Sequence, residues 1–492
     1  MPLLEKGLPQ ELHRIHIMGV CGTAMGALAA MLVDAGYEVT GSDTAVYPPM
    51  SDVLRGLGVT IKEGFLASNL DHHPDLVVVG NVVRAVYDEA RALLTSDLPY
   101  CSFPYLLGEM YLSDARPLVV AGTHGKTTTT AVATWLLESA GRAPGYLIGG
   151  VPRNLTRTAR RCLAQGDTPR HFVIEGDEYD TAFFDKGPKF WHYRPRTAIV
   201  TSVEFDHADI YRDLDHYKSA FARFIGLIPP ASEGGCLVAC WAWDNVRELA
   251  AEAACELRRY GPGCEWDGRI LEVDPGKGRM RFEVLRTGRR FGVFDSILVG
   301  EHNLWNQVGA VAALDREGLT PEEMARGFSS FEGIKRRQEL RGEVGGVAVI
   351  DDFAHHPTAV KVTLEALKAR FGGRRLWAVF EPRSNTSRRR IFQAEYGAAF
   401  DSADLTVIAA PPRVEGIAPE DRFDPVQLVA ALQDRGLQAH HIPDPEAIAS
   451  VVAANAMPSD VIAVLSNGDF GGLHNRLLEA LKARFSQDMR GT

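Results

Sequence analysis

A lysine and a threonine at a glycine turn can hold a polyphosphate, and this chain sets them in the run Gly122, Thr123, His124, Gly125, Lys126, Thr127 and Thr128. The glycines let backbone N–H groups converge on an anion, and the start of the following helix adds its dipole. Lys126 has the reach for β- and γ-phosphates, and the Thr127 hydroxyl can ligate magnesium. The loop is shorter than the usual phosphate loop, because position 120 is a valine. An ordinary glycine turn is the competing reading, but it gives Lys126 and Thr127 little to do at a helix start.

Acids and a histidine lie downstream. The apolar run from His171 ends in Glu175, Asp177, Glu178 and Asp180. Glu175, at the strand end, is the expected magnesium partner; Asp177, Glu178 and Asp180 could be solvated turn residues. His207 follows another apolar run and sits among Glu204, Asp206 and Asp209, where it could ligate a metal. Asn303 and Asn306 share a helix face and could read an adenine edge, or Asn303 could simply cap the helix. Polar groups crowd three further strand ends: Asp351, Asp352, His355 and His356; Glu381 to Thr386; Ser466 to Gly471. Turn chemistry could explain any one of them, but three at the ends of one sheet argue for a site. Arg388, Arg389 and Arg390 read as a solvated helix start.

The elements that must position these groups alternate as strand and helix. Leu118 to Ala121 reads as a buried parallel strand, with a helix from Thr128 to Ala140. Upstream, a strand over 13–19 leads into Gly19, Gly22 and Gly26, a helix over 27–35, and a strand over 37–43 ending on Asp43. This is a Rossmann-like opening with a carboxylate placed for a ribose hydroxyl, although the glycine spacing is too wide to assure a dinucleotide. Another strand, 75–81, ends near Asn81, and 112–117 reads as a linker. Strands over 196–203 and 235–240 extend the central segment, while 269–274, 278–286 and 289–297 read as antiparallel decoration. In the last segment, strands over 347–352, 375–380, 405–410 and 461–465, with helices between them, predict a second mostly parallel sheet.

A chain of 492 residues has room for about three domains. Its net charge of −10 gives no overall attraction to nucleic acid or a membrane surface. None of the seven cysteines forms a Cys-x-x-Cys pair, so reduced thiols and a cytoplasmic location are expected. The first residues do not read as a signal peptide, and no apolar run would span a bilayer.

Taken together, the runs starting at Gly122, Glu175, Glu204 and Gly300, with Lys335 to Arg337 and Asp351 to Pro357, resemble the Mur ligase family of ATP-dependent amide-bond-forming enzymes over nearly the whole chain. The resemblance implies an α/β protein of three domains: a Rossmann-like UDP-sugar domain (1–113), a P-loop-type ATPase (114–334) and a Rossmann-like C-terminal domain for nucleotide closure and peptide binding (335–492). It implies ATP and Mg2+, with magnesium on Thr127, Glu175 and His207. Catalytic roles fall to Lys126, Glu175, His207 and His355, and His302, Asn303, Asn306, Arg337 and Asp352 join the phosphate loop in holding nucleotide. Gly19, Gly22, Thr23, Ala24, Met25, Ser42, Asp43 and Asn81 would hold the UDP-sugar. Divergent stretches at 46–50, 148–152, 179–186, 381–386 and 466–472 resemble the branch that adds L-alanyl-γ-D-glutamyl-meso-diaminopimelate to UDP-N-acetylmuramate, rather than the branch that adds L-alanine. Arg383, Ser384 and Asn385 are the expected ligands of the peptide carboxylates. Where some relatives carry a carbamylated lysine, this chain has Phe221. The rival readings are a nicotinamide-dependent dehydrogenase, which leaves Lys126 and Thr127 unexplained, and a sensor that binds ATP without turnover.

Overall fold

Three large sheets, and a two-stranded one formed by Asp180–Ala182 and Asp185–Pro188, make up the computed structural model, which describes residues 7–48 and 50–488. The first six residues, and Pro49 within the divergent 46–50 stretch, lie outside the described residues.

The first sheet has five parallel strands in the order Thr60–Glu63, Glu38–Asp43, Arg14–Met18, Leu76–Val79, Tyr100–Ser102. Strand order reverses beside Arg14–Met18, and ligands of open α/β sheets bind in the crevice beyond such a switch point. The glycine turn at 19–22 stands there, and the helix Thr23–Asp34 starts at once, earlier than the 27–35 read from its apolar residues. Small residues at its start hid the first turn.

The second sheet has ten strands, with Arg116–Ala121 inside it between His171–Gly176 and Thr197–Val200, all parallel. Every residue from Leu118 to Ala121 is buried, as a strand covered on both faces must be. This strand begins inside the stretch read as a linker. The helix Lys126–Ser139 packs on it and starts two residues before the expected Thr128. The antiparallel strands Trp266–Asp274, Arg279–Arg286 and Arg289–Ser296 are not decoration, because they continue the same sheet from Glu256–Tyr260.

The third sheet has six strands: Glu339–Val344, Val347–Asp352, Val461–Leu465, Leu376–Phe380, Leu405–Ile408 and Gln438–His441. Only the first is antiparallel. The polar ends at Asp352, Ser466 and Glu381 therefore belong to three adjacent strands. Separate apolar clusters fill its two faces, one around Phe380 and Phe400, the other around Val379 and Phe470.

Cross-links join the units. Phe184 stacks edge-on against Tyr100, with ring centroids 5.0 Å apart, which ties the second unit to the first. The third docks through Thr358 Oγ1 to Glu204 Oε1 (2.9 Å), Thr386 Oγ1 to Asp206 Oδ1 (2.8 Å) and Asn385 Nδ2 to Asp209 Oδ2 (2.7 Å).

Candidate functional site

Three neighbouring strands of the central sheet end at one place. Arg116–Ala121 delivers the glycine loop, His171–Gly176 delivers Glu175, and Thr197–Val200 leads to Ser202 and Glu204. Parallel strands put their carboxyl ends on one edge, which brings residues far apart in sequence together. Gly125 has φ +82°, in the left-handed region, and caps the phosphate-loop helix. A β-carbon there would also stand 2.2 Å from Asn306 Oδ1. His124 N–H donates to Ser202 Oγ (2.9 Å), which holds the loop against the third strand.

Thr127 Oγ1 donates to Glu175 Oε1 at 2.8 Å, and Gly149 N–H donates to Glu175 Oε2 at 2.8 Å. Gly149 belongs to the divergent stretch 148–152, where a β-carbon would fall 2.8 Å from that same oxygen. One hydroxyl and one carboxylate at this spacing are hard oxygen donors of the kind magnesium takes. Burial raises the Glu175 carboxyl above its usual range, opposed by Lys126 and by the Gly149 and Thr127 hydrogen bonds.

His207 and Lys126 do not meet Glu175 but meet Glu178. Glu178 Oε1 accepts from Lys126 Nζ (2.9 Å) and is 2.9 Å from His207 Nε2, while the Tyr217 hydroxyl lies 3.3 Å away. Its side chain is 1% exposed, and Oε2 is buried with no hydrogen-bond partner among the described residues. Glu178 is therefore no solvated turn residue. Its partners stand 52 and 29 positions away in sequence, so only the folded sheet edge reveals them. Burial pushes its carboxyl up, and Lys126 and His207 more than reverse this. Burial likewise lowers His207, but Glu178 and Asp206 outweigh it and hold the ring above its ordinary value. Asp177 accepts from Lys189 Nζ at 2.5 Å, so it too is engaged.

Two cavities flank the loop. One, of about 380 Å³, is lined by Lys126, Thr127, Glu175, Glu178, His207 and His355, and it reaches Thr23 and Ala24 of the first unit. The other, of about 580 Å³, is lined by His302, Asn303, Asn306, Trp243 and Asp352, and by Ile270 and Val273 of the antiparallel extension. Asn303 does not cap its helix; Gly300 holds that place, and Asn303 Nδ2 donates to Val299 O (2.9 Å). Asn306 Nδ2 lies 3.4 Å from Asn303 Oδ1. Burial pushes His302 down to about 4, so it is a neutral ring.

The third unit closes over both cavities. Arg337 donates to Thr127 Oγ1 (3.2 Å) and lines each cavity. Asp352 accepts from the Gln338 and Ala354 N–H groups (2.7 and 2.8 Å), and burial raises its carboxyl against the pull of Arg337. His355 Nε2 is 4.0 Å from Asp206 Oδ2, and burial lowers the ring. Among the described residues, His124, Glu204 and His356 also bring ligand-type atoms within 4.8 Å of one another across the same junction.

In the first unit, Thr23 and Ala24 face the shared cavity. Gly19 N–H donates to Ser42 O (2.7 Å), and Asp43 accepts from the Cys21 and Ala45 N–H groups (2.9 Å each), so this carboxylate shapes the turn. Ser42 is buried with its hydroxyl on Glu89, Met25 is buried, Gly22 caps the helix and Asn81 is exposed. The expected peptide ligands are engaged already. Arg383 reaches Asp469 (3.3 Å) and Glu381 (3.4 Å), Ser384 Oγ accepts from Ser387 N–H (2.9 Å), and Asn385 bonds Asp209. Arg388, expected in solvent, is half-buried and donates to Arg413 O (2.5 Å).

Comparison with known proteins gives consistent matches along the chain. Family models described as "Mur ligase family, catalytic domain", "Mur ligase middle domain" and "Mur ligase, glutamate ligase domain" match residues 14–113, 120–314 and 336–468. A UDP-N-acetylmuramate–L-alanyl-γ-D-glutamyl-meso-2,6-diaminoheptandioate ligase of Escherichia coli is 41% identical over 95% of this chain and 98% of its own. The ligase of the same name from Haemophilus influenzae is 38% identical over 96% and 100%. A UDP-N-acetylmuramate–L-alanine ligase of Streptomyces avermitilis is 33% identical over 96% and 99%. The crystal structure of a murein peptide ligase from Psychrobacter arcticus superposes with a TM-score of 0.69 at 36% identity, covering 96% of this chain and 99% of that one.

Proposed function

The chain belongs to the Mur ligase family, and on that premise we propose that it is an ATP-dependent, ADP-forming ligase that joins UDP-N-acetylmuramate to L-alanyl-γ-D-glutamyl-meso-diaminopimelate, recycling a murein peptide. One observation carries the reading: the near-full-length likeness to ligases named for this tripeptide exceeds the likeness to those named for L-alanine.

Carboxylate and amine do not condense in water, because the leaving group would be hydroxide. The muramoyl carboxylate attacks the γ-phosphorus of ATP, ADP departs, and an acyl phosphate forms. The peptide amine then adds to the acyl carbon and gives up a proton, and phosphate leaves. Bringing two anions together needs fixed positive charge. Lys126 would meet the β- and γ-phosphates, moving there from Glu178. Thr127 and Glu175 fit Mg2+ and would hold it, with His207 serving the metal from across the cavity. Magnesium would there neutralise phosphate charge. His302, Asn303 and Asn306 would hold the adenosine end in the larger cavity, with Arg337 and Asp352 closing it from the third unit. His355 would lie near the reacting centre. Thr23, Ala24 and the turn shaped by Gly19, Gly22 and Asp43 would hold the UDP-sugar.

Domain limits near residues 113 and 334 belong to this reading. So does a cytoplasmic location, which the seven unpaired cysteines favour. Arg383, Ser384 and Asn385 enter as ligands of the peptide's distal carboxylates; a tripeptide KM unchanged in Arg383→Ala would remove Arg383 from that set.

Phosphate release from magnesium-ATP and UDP-N-acetylmuramate, with either the tripeptide or L-alanine added, tests the whole. Release with the tripeptide and none with L-alanine is expected. The reverse result would move the chain to the L-alanine-adding branch.

A further inference from the structure

The smaller cavity holds a lysine to which the reading above gives no task. Lys189 lines it together with Lys126 and Arg337, and its side chain is 14% exposed. It sits just past the strand Asp185–Pro188, and its backbone N–H is tied to Tyr179 O at 3.2 Å. Its ammonium donates to Asp177 Oδ2 at 2.5 Å and stands 5.9 Å from the centre of the Tyr179 ring.

The lining of this cavity repeats one arrangement. Lys126 rests on Glu178, and one residue earlier Asp177 takes Lys189. All four groups line the cavity. The two lysines differ in what they have left to give. Lys126 Nζ makes three hydrogen bonds, to Gly122 O, Thr123 O and Glu178 Oε1. Among the described residues Lys189 Nζ has one protein acceptor, Asp177, and an ammonium has three N–H groups. An ammonium with donors to spare in a confined cavity attracts an anion, and the same cavity reaches Thr23, Ala24 and Phe103 of the first unit.

We propose that Lys189 is a substrate-carboxylate site: the Lys189–Asp177 pair holds an ammonium ready on the cavity wall, and a carboxylate of a substrate takes up its free N–H groups. This rests on the ligase reading. A ligase that drives a carboxylate onto a polyphosphate needs one cation for each, and Lys126 is committed to the phosphates. The carboxylate has two sources, the muramoyl group and the tripeptide, and kinetics separates them.

The test compares Lys189→Met, Lys189→Arg and Asp177→Asn with the unaltered enzyme. Phosphate release gives KM for each of the three substrates, titration calorimetry gives UDP-N-acetylmuramate affinity without ATP, and thermal unfolding checks the fold. In Lys189→Met, KM should rise about tenfold or more for one carboxylate substrate while that for ATP stays within about twofold, as expected for loss of a charge-assisted hydrogen bond. A rise confined to UDP-N-acetylmuramate, with its affinity falling in step, assigns the muramoyl carboxylate; a rise confined to the tripeptide assigns a peptide carboxylate. Lys189→Arg should restore part of the effect. Asp177→Asn releases the ammonium, so it should leave that KM unchanged or lower it. If the pair merely braces its loop, Asp177→Asn will reproduce Lys189→Met, and the proposal falls. It also falls if neither carboxylate KM moves in Lys189→Met. Absence of turnover in the unaltered enzyme with either amine would instead overturn the ligase reading.

Discussion

Glu178 shows how much a single carboxylate can organise. It holds Lys126 and His207 on one oxygen and leaves the other oxygen buried with no hydrogen-bond partner among the described residues. In Glu178→Gln the shape survives and the charge does not, so Lys126 and His207 both lose their carboxylate anchor. Turnover at saturating substrate should drop about 10- to 100-fold, the usual cost of losing a group that orients a metal ligand. Phosphate release checks this, and a change under twofold would show that Glu178 only fills space. Residue types in the sequence single out Lys126, Thr127 and Glu175, because they sit at a strand end and a helix start, positions with few local uses for them. Types alone could not separate Glu178 from Asp180 in the same run of acids. Glu178 is buried by partners elsewhere in the chain, whereas Asp180 is half-buried and pairs with the exposed Lys186.

At the scale of elements, two helix starts carry much of the site. The phosphate-loop helix begins on Gly125 with φ +82°. Gly125→Ala forces a side chain into the left-handed region at a cost of about 1–2 kcal/mol, and it presses on Asn306. Denaturant unfolding should register that loss, and the KM for ATP should rise. The helix Pro357–Arg370 begins on His356, whose Nδ1 accepts from Thr358 N–H at 3.3 Å. That bond needs a neutral ring, and burial pushes His356 from 6.5 down to about 4. Between these values the unfolded chain takes up the proton and the folded chain does not, so His356's share of stability is complete above pH 6.5 and falls toward pH 4. His356→Asn keeps a capping side chain without titrating. The urea midpoint of the variant should therefore fall less steeply than that of the parent between pH 6.5 and 4. Equal slopes would show that other groups dominate acid unfolding. Strands with long apolar runs were plain in the sequence. Glu339–Val344 and Gln438–His441 were not, since edge strands carry charged and polar residues. Arg388 to Arg390 read as a solvated helix start, but a short 3₁₀ turn begins only at Arg390 and Arg388 is half-buried, because its partner carbonyl at Arg413 is distant in sequence.

Across the whole molecule, the order of units and the sheet class were legible, because alternation of strand and helix repeats along the chain. How the units dock was not, since their contacts are isolated pairs of side chains that leave no periodic trace. Those pairs converge. Thr358, Thr386 and Asn385 of the third unit reach Glu204, Asp206 and Asp209, all on the loop that carries His207. Replacing Thr386 with Val and Asn385 with Ala together should loosen the docked state, seen as a larger radius of gyration in small-angle X-ray scattering, and lower turnover. An unchanged radius would mean that these polar pairs do not hold the docked state.

The backbone of that loop adds a last point. His207 has φ +56°, a left-handed conformation that a residue with a side chain adopts only under constraint. The constraint includes Asp206, which takes the His207 N–H on the same oxygen that receives Thr386. Docking of the third unit and the setting of His207 thus draw on the same carboxylate oxygen. Such an arrangement works as an interlock: one carboxylate oxygen latches the third unit and fixes the backbone of His207 at the same time.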